Sequence, residues 1–282
     1  MGLAPPEIAT LYQAACLAEL DALKPGNVHA HAAGHRMTVA DFVASAAASA
    51  PALTQGGAGI GARVRDAVAA TRAAVGQNTN LGILLLCAPL ACAAERGSDL
   101  ASVLAALDPA DSAGVFAAIR LAGPGGLGRA GRHDVAAAAP DALLAAMAEA
   151  APRDRIARAY GDGFADLFAV GLPALDSARR DGLDPVWCTT AVHLAYLTAF
   201  PDSHVARKHG ANRAEAVRAQ AAASLAGLDL RTRPVARLLA LDRALKAAGI
   251  NPGTSADFTV ATLFCDALAG AGARLGTAGA GT

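Results

Sequence analysis

Apolar positions follow helical spacing from one end of the chain to the other. Pro5-Pro6-Glu7 opens a segment in which Ile8, Leu11, Tyr12 and Ala15 recur at three- and four-residue intervals, and Pro25-Gly26 closes it. Thr38-Val39-Ala40-Asp41 has the spacing of a capping box and predicts a helix running to about Leu53. Gly56–Gly61 reads as a flexible lead-in to a third helix that ends near Gly76. Asp108-Pro109 and Asp184-Pro185 each place a capping residue just before a proline at the first helical position. Pro234 and Ser255 open the last two helices, with Gly249 and Gly270 as stops. No sustained apolar/polar alternation suggests strands, and no repeat of fixed period stands out. The expected fold is all-α: one compact domain of roughly ten helices over residues 1–270, then a flexible Gly/Ala/Thr-rich tail over residues 271–282.

Composition narrows the function classes. Hydrophobic residues reach 54% and charged residues only 17%, the opposite of the balance that disorder needs. Lys+Arg and Asp+Glu each total 24, so the formal charge is zero, which argues against a general nucleic-acid or anionic-membrane surface. The longest apolar run, Leu81 to Ala94, has 14 residues and contains Pro89. A membrane span needs about 20, so this segment reads as a buried core helix. Met1-Gly2-Leu3-Ala4-Pro5 shows no basic region leading into an apolar run, and a cytoplasmic location is expected. Cys16, Cys87, Cys92, Cys188 and Cys265 form no CxxC pair and read as small core residues. Low charge and abundant alanine suit closely packed helices and would suit a homo-oligomer.

Because polar residues are scarce, their clusters carry weight. The first holds Glu19, Lys24, Pro25, Gly26, Asn27, His29, His31 and His35. Glu19 lies eleven residues after Ile8, three helical turns, and so shares the apolar face. Its carboxylate is either a site residue lining a cleft or a structural ion pair or cap. The HxHxxxH spacing is poor as a zinc set, and loop polarity accounts for it. The second cluster, Gln77-Asn78-Thr79-Asn80-Leu81-Gly82, enters the apolar helix, either as an anion-binding helix start or as a plain cap and turn. In the third, Asp202-Ser203-His204-Val205-Ala206-Arg207-Lys208-His209-Gly210, helical spacing pairs Ser203 with Arg207 and His204 with Lys208. Arg207 and Lys208 suit a polyphosphate, although a solvated helix end has the same appearance. The fourth, Asn251-Pro252-Gly253-Thr254-Ser255-Ala256-Asp257, is a turn into the last helix, in which Asp257 either caps or functions. The glycine-rich Gly123–Asp134 stretch is a linker or a substrate loop. There is no Walker-type loop, no dinucleotide fingerprint and no Gly-x-Ser-x-Gly elbow.

In order and spacing, these clusters resemble the triphosphoribosyl-dephospho-CoA synthase family. The resemblance rests on Glu19 with Lys24-Pro25-Gly26-Asn27-Val28, Gly34-His35-Arg36-Met37, Asn78-Thr79-Asn80-Leu81-Gly82, Gly126-Leu127-Gly128, Asp202 with its following segment, and Pro252 to Asp257. It implies an all-helical enzyme that transfers the triphosphoribosyl group of ATP to 3′-dephospho-CoA and releases adenine. Family members usually read Asn-Thr-His-Lys-Gly where this chain has Asn78-Thr79-Asn80-Leu81-Gly82, so an imidazole and a cation are replaced. The segment after Asp202 resembles a divergent branch from organisms that make methanopterin- or methanofuran-type one-carbon coenzymes.

Ribosyl transfer needs a base for the attacking hydroxyl, stabilisation of an oxocarbenium-like centre, and groups that hold a triphosphate. Glu19 or Asp202 is expected to serve as base or cation stabiliser, while Lys24, Arg207 and Lys208 hold phosphates. Pro25, Gly26, Asn27, His35, Asn78, Thr79, Asn80, Gly82 and His204 are expected to complete the substrate site. Asp257 would contact Mg²⁺, which is expected with ATP, or ribose; no organic cofactor is implied. Two alternatives stay open: the same scaffold acting on another phosphorylated or nucleotide substrate in one-carbon coenzyme synthesis, or a non-catalytic nucleotide-binding protein.

Overall fold

The computed structural model describes residues 2–29, 37–124, 135, 139–140 and 142–276. Among these residues the chain forms fourteen α-helices and no strand, in a single domain. The first half comprises α1 (Pro5–Asp21), α2 (Val39–Leu53), α3 (Ile60–Val75), α4 (Leu81–Arg96), α5 (Leu100–Ala105), α6 (Pro109–Ala122) and α7 (Leu143–Ala150). The second comprises α8 (Arg155–Asp162), α9 (Leu172–Arg180), α10 (Pro185–Ala199), α11 (Ser203–His209), α12 (Ala211–Leu225), α13 (Val235–Ala247) and α14 (Gly253–Gly270). A π-helical turn, Leu167–Gly171, leads into α9. Several of the additional helices are two turns or shorter, too short for apolar periodicity to reveal.

The apolar run becomes the axis of the fold. Every residue of α4 from Ile83 to Ala94 is buried, including Pro89, and α1, α3 and α14 pack around it. A helix that is apolar on all sides can only be stable when enclosed. No helix among the described residues is long and apolar enough to cross a membrane. The capping boxes form as the sequence predicts at Thr38/Asp41 and Asp108/Asp111, and Asp184 caps α10. Helix α14 starts two residues before Ser255, at Gly253. Leu275, assigned by composition to a frayed tail, is buried in the core, with Ala273 packed against the same cluster. All five cysteines are buried and unpaired, and burial pushes the Cys16 and Cys265 thiols up to about 12.

Helices α3 and α6 cross closely enough to require glycine. A Cβ on Gly114 would lie 2.4 Å from the carbonyl carbon of Gly61, and one on Gly61 would lie 2.4 Å from the Asp111 oxygen. The clash is with backbone, so no side-chain movement relieves it. Gly114→Ala is therefore expected to lower stability by about 1–3 kcal/mol through overpacking. A denaturant midpoint that falls at constant slope would confirm this, and an unchanged midpoint would refute it.

Candidate active site

Four helices begin at one cleft of about 1620 Å³: α4, α8, α11 and α14. Helix starts carry the positive end of the peptide dipole, which favours anions, and here protein side chains already take up part of it: Asp154 accepts from the first amides of α8, Asp202 from those of α11, and Asn78 from the Leu81 amide of α4. Side chains tie the starts together. The Arg155 N–H donates to Ser203 Oγ (2.9 Å), and the His204 N–H donates to Thr254 Oγ1 (3.1 Å). Asp202 joins α11 to α14: Oδ1 accepts from the His204 and Val205 amides, and Oδ2 accepts from the Ser255 amide and hydroxyl. Gly82 permits α4 to approach α14, because a Cβ there would meet Asp257 Oδ2 at 2.0 Å.

The centre of the cleft is acidic. Glu19, 4% exposed, lines it and forms an ion pair with the fully buried Lys24. Burial pushes the Glu19 carboxyl up, while the Lys24 charge opposes the shift. Burial also lowers the Lys24 pKa, against the pull of Glu19. Asp257, half-buried, also lines the cleft and makes no side-chain hydrogen bond among the described residues. Burial first, then the charges of Asp202 and Glu19, push its carboxyl well above the ordinary carboxylate range, and Arg207 pulls it back only in part. A carboxylate crowded by other carboxylates and open to a cleft suits a hard cation. No group of three metal-ligating residues exists among the described residues. Mg²⁺ does not need one, because it keeps its waters and uses one or two carboxylates together with substrate phosphates.

The turn that carries Lys24 is clamped from beneath. Asp242 on α13, 1% exposed, accepts the Gly26 N–H at 2.8 Å, lies 3.4 Å from His29 Nε2 and pairs with Lys246 at 3.0 Å. Burial alone would raise its pKa, but these bonds outweigh that and hold the carboxyl below its usual range. Asn27 Nδ2 donates to Asn251 Oδ1 at 2.8 Å, and a Cβ on Gly26 would strike Pro252 at 2.8 Å. The two Pro-Gly turns, far apart in sequence, thus pack face to face. His193, wholly buried and lowered to about 3 by burial and then by Lys24, stays neutral beside the Pro25 carbonyl.

Of the residues singled out from sequence, Glu19, Asn27, Asn78, Thr79, Gly82, His204, Arg207, Lys208 and Asp257 line the cleft. Lys24, Pro25 and Gly26 are buried behind it, and Asp202 is 2% exposed with both oxygens occupied by protein donors. Asn80 is buried against α2, donating to Ser49 Oγ at 3.3 Å, while Thr79 meets Ser45 at 2.6 Å. His35, with His31 and Gly126–Gly128, lies outside the described residues. Sequence reasoning passed over Asp242 and Arg155. Asp242 carries the signal that marked Glu19, a carboxylate on the stripe of Leu238, Leu241 and Leu245. Arg155 follows a capping Asp154, but its own partners are too distant in sequence to be read.

Residues 5–274 match the family described as ATP:dephospho-CoA triphosphoribosyl transferase. A crystal structure from Archaeoglobus fulgidus, described as a "putative triphosphoribosyl-dephospho-coA synthase", superposes with a TM-score of 0.63 at 26% identity. The match covers 83% of this chain and 100% of that one. No curated protein gives a significant sequence match.

Proposed function

The chain belongs to the ATP:dephospho-CoA triphosphoribosyl transferase family and is a transferase, and we propose that it moves the triphosphoribosyl group of ATP onto a ribose hydroxyl of 3′-dephospho-CoA, releasing adenine. The observation that supports this reading is the meeting of four helix starts, the cations Arg155, Arg207 and Lys208, and the carboxylates Glu19 and Asp257 along one cleft. At about 1620 Å³ the cleft exceeds the roughly 300–1,000 Å³ of a single drug-sized site and has room for two nucleotide-sized molecules.

In this reading the triphosphate meets the starts of α4, α8 and α11, with Arg207 and Lys208 at their edge. Glu19 takes the proton of the attacking hydroxyl; its raised pKa makes it a better base than an exposed carboxylate. The bond from ribose C1′ to adenine breaks as the bond to the hydroxyl oxygen forms. Net, the hydroxyl proton ends on adenine. In this reading Asp202 braces α11 against α14 rather than serving as the base, because among the described residues both its oxygens accept from protein donors. Lys24 acts through Glu19, holding it in place and limiting the rise in its pKa. Asp257 would hold Mg²⁺, with Glu19 and Asp154 adding negative charge nearby. When bound, the ion would neutralise triphosphate charge.

A second reading keeps the scaffold and changes the acceptor to another phosphorylated or nucleotide substrate. It is favoured by Leu81, an apolar residue lining the cleft next to Gly82. Chromatography of the protein with ATP, Mg²⁺ and 3′-dephospho-CoA tests both. Adenine that appears only with this acceptor supports the first reading. Adenine formed only with a different phosphorylated acceptor supports the second, and none from a folded protein with any acceptor refutes both.

A further inference from the structure

We infer that Arg155 is a fixed anion-binding residue of the cleft, with its guanidinium gripped by Asp166 and Phe200 so that Nη1 is offered to a phosphate oxygen of the substrate. This deepens the proposed reading by naming the cation that meets the polyphosphate, and it rests on that reading for the ligand's identity.

Arg155 is the first residue of α8 and lines the cleft with its side chain 22% exposed. Its Nε and Nη2 grip Asp166 at 3.0, 2.5 and 2.7 Å, and its Cζ lies 4.1 Å from the centre of the Phe200 ring. Its backbone N–H is bonded to Ser203. One edge of the fork, the lower face and the backbone are thus committed, whereas Nη1 makes no bond among the described residues. A guanidinium held in this way loses little side-chain freedom on binding, and its remaining Nη1 can donate a charge-assisted bond to a phosphate oxygen. It also stands in the right place. The next residue, Ile156, comes within 2.9 Å of where a Cβ on Gly82 would lie, so this turn abuts the start of α4 beside Asp257.

The backbone that delivers Asp166 is unusual. Helix α8 ends with Gly163 at φ 69°, and Phe164 follows at φ 63°, a left-handed conformation that L-residues rarely adopt. The π-helical turn begins directly after Asp166, whose carbonyl accepts from Tyr196 Oη at 3.3 Å. Gly171 completes it, because a Cβ there would meet Tyr196 Oη at 2.1 Å. Strained backbone and π turns concentrate at functional sites, and here they set one carboxylate against one arginine. The neighbouring cations are used otherwise: Arg153 donates to Glu149 O, and Arg158 pairs with Asp162 at the exposed surface.

The test is calorimetric titration of the full chain with inorganic tripolyphosphate. The double variant Arg155→Met/Asp166→Asn, which leaves no carboxylate unpaired, is expected to bind about 30-fold more weakly, the loss of one charged hydrogen bond. Arg155→Lys is expected to bind about tenfold more weakly, because a lysine cannot be gripped on two sides. A folded double variant with affinity within about twofold of the parent would overturn the inference. Should the double variant fail to fold, Phe200→Leu removes the platform and keeps the charge. It is expected to weaken binding about threefold, and an unchanged affinity would again overturn the inference. The proposed reaction fails separately. Arg155-dependent tripolyphosphate binding without adenine release would reject that reaction and leave Arg155 as the anion site. Adenine release at parental kcat/KM for ATP in the double variant would do the reverse.

Discussion

Asp257→Asn is expected to yield a protein that is more stable than the parent at neutral pH and has lost about 100-fold or more in turnover. The stability half follows from the sign of the shift. Burial, Asp202 and Glu19 push the Asp257 carboxyl well above its ordinary value of 3.8, so the folded state binds a proton more readily than the unfolded state. Stability therefore falls as pH rises from the ordinary value through the raised one, and the full penalty is present above both. Asparagine has the same shape and carries no charge to repel. Each kcal/mol recovered corresponds to roughly 2–4 °C for a chain of this size. Calorimetry at pH 7 and pH 4 checks the argument, because the gain must be larger at pH 7. An equal loss of stability at both values would show that the carboxylate is structural. The activity half follows because an amide cannot match a carboxylate in holding a cation. A residue whose removal stabilises the fold and stops the reaction is maintained for function.

The fold was legible where local chemistry decides it. The box at Thr38 and Asp41, its counterpart at Asp108 and Asp111, and the cap at Asp184 involve bonds that span three residues, so spacing alone reveals them. Glu19 was legible because an acid on an apolar stripe must be buried or line a cleft, and it does both. Contacts made with distant partners were not legible. Asp202 looks the same in sequence whether it acts as base or brace, and the donors that occupy its second oxygen come from Ser255. Lys24 suggested a phosphate ligand, yet its turn is held inward by Asp242, 216 residues from Gly26. The fork of Arg155 closes on Asp166, and its platform, Phe200, belongs to the segment between α10 and α11. Glycine has the same limit: Gly82 reads from sequence as part of an anion-binding helix start or a cap and turn, and only the packed structure shows that it makes room for Asp257.

Glu19→Gln is expected to lower kcat by about 1,000-fold while KM for ATP stays within a few-fold, since a general base acts mainly on the chemical step. Glutamine fills the same volume and still offers Lys24 an oxygen, so the clamp on the turn survives. A loss of stability of about 3–5 kcal/mol accompanies the change, because Lys24 is fully buried and loses the charge that opposes its desolvation. The pH profile separates a base from a brace. Both Glu19 and Asp257 have raised pKa values, and the proposed reaction needs both ionised. The parent rate should then fall with acid at a slope approaching two, since each group takes up one proton. Glu19→Gln removes one of these titrations and should leave a residual rate of slope one, and Asp257→Asn should do the same from the other side. A Glu19→Gln variant with parental kcat, or one whose acid limb keeps the parental slope, would remove Glu19 from the chemistry and return it to the ion pair with Lys24.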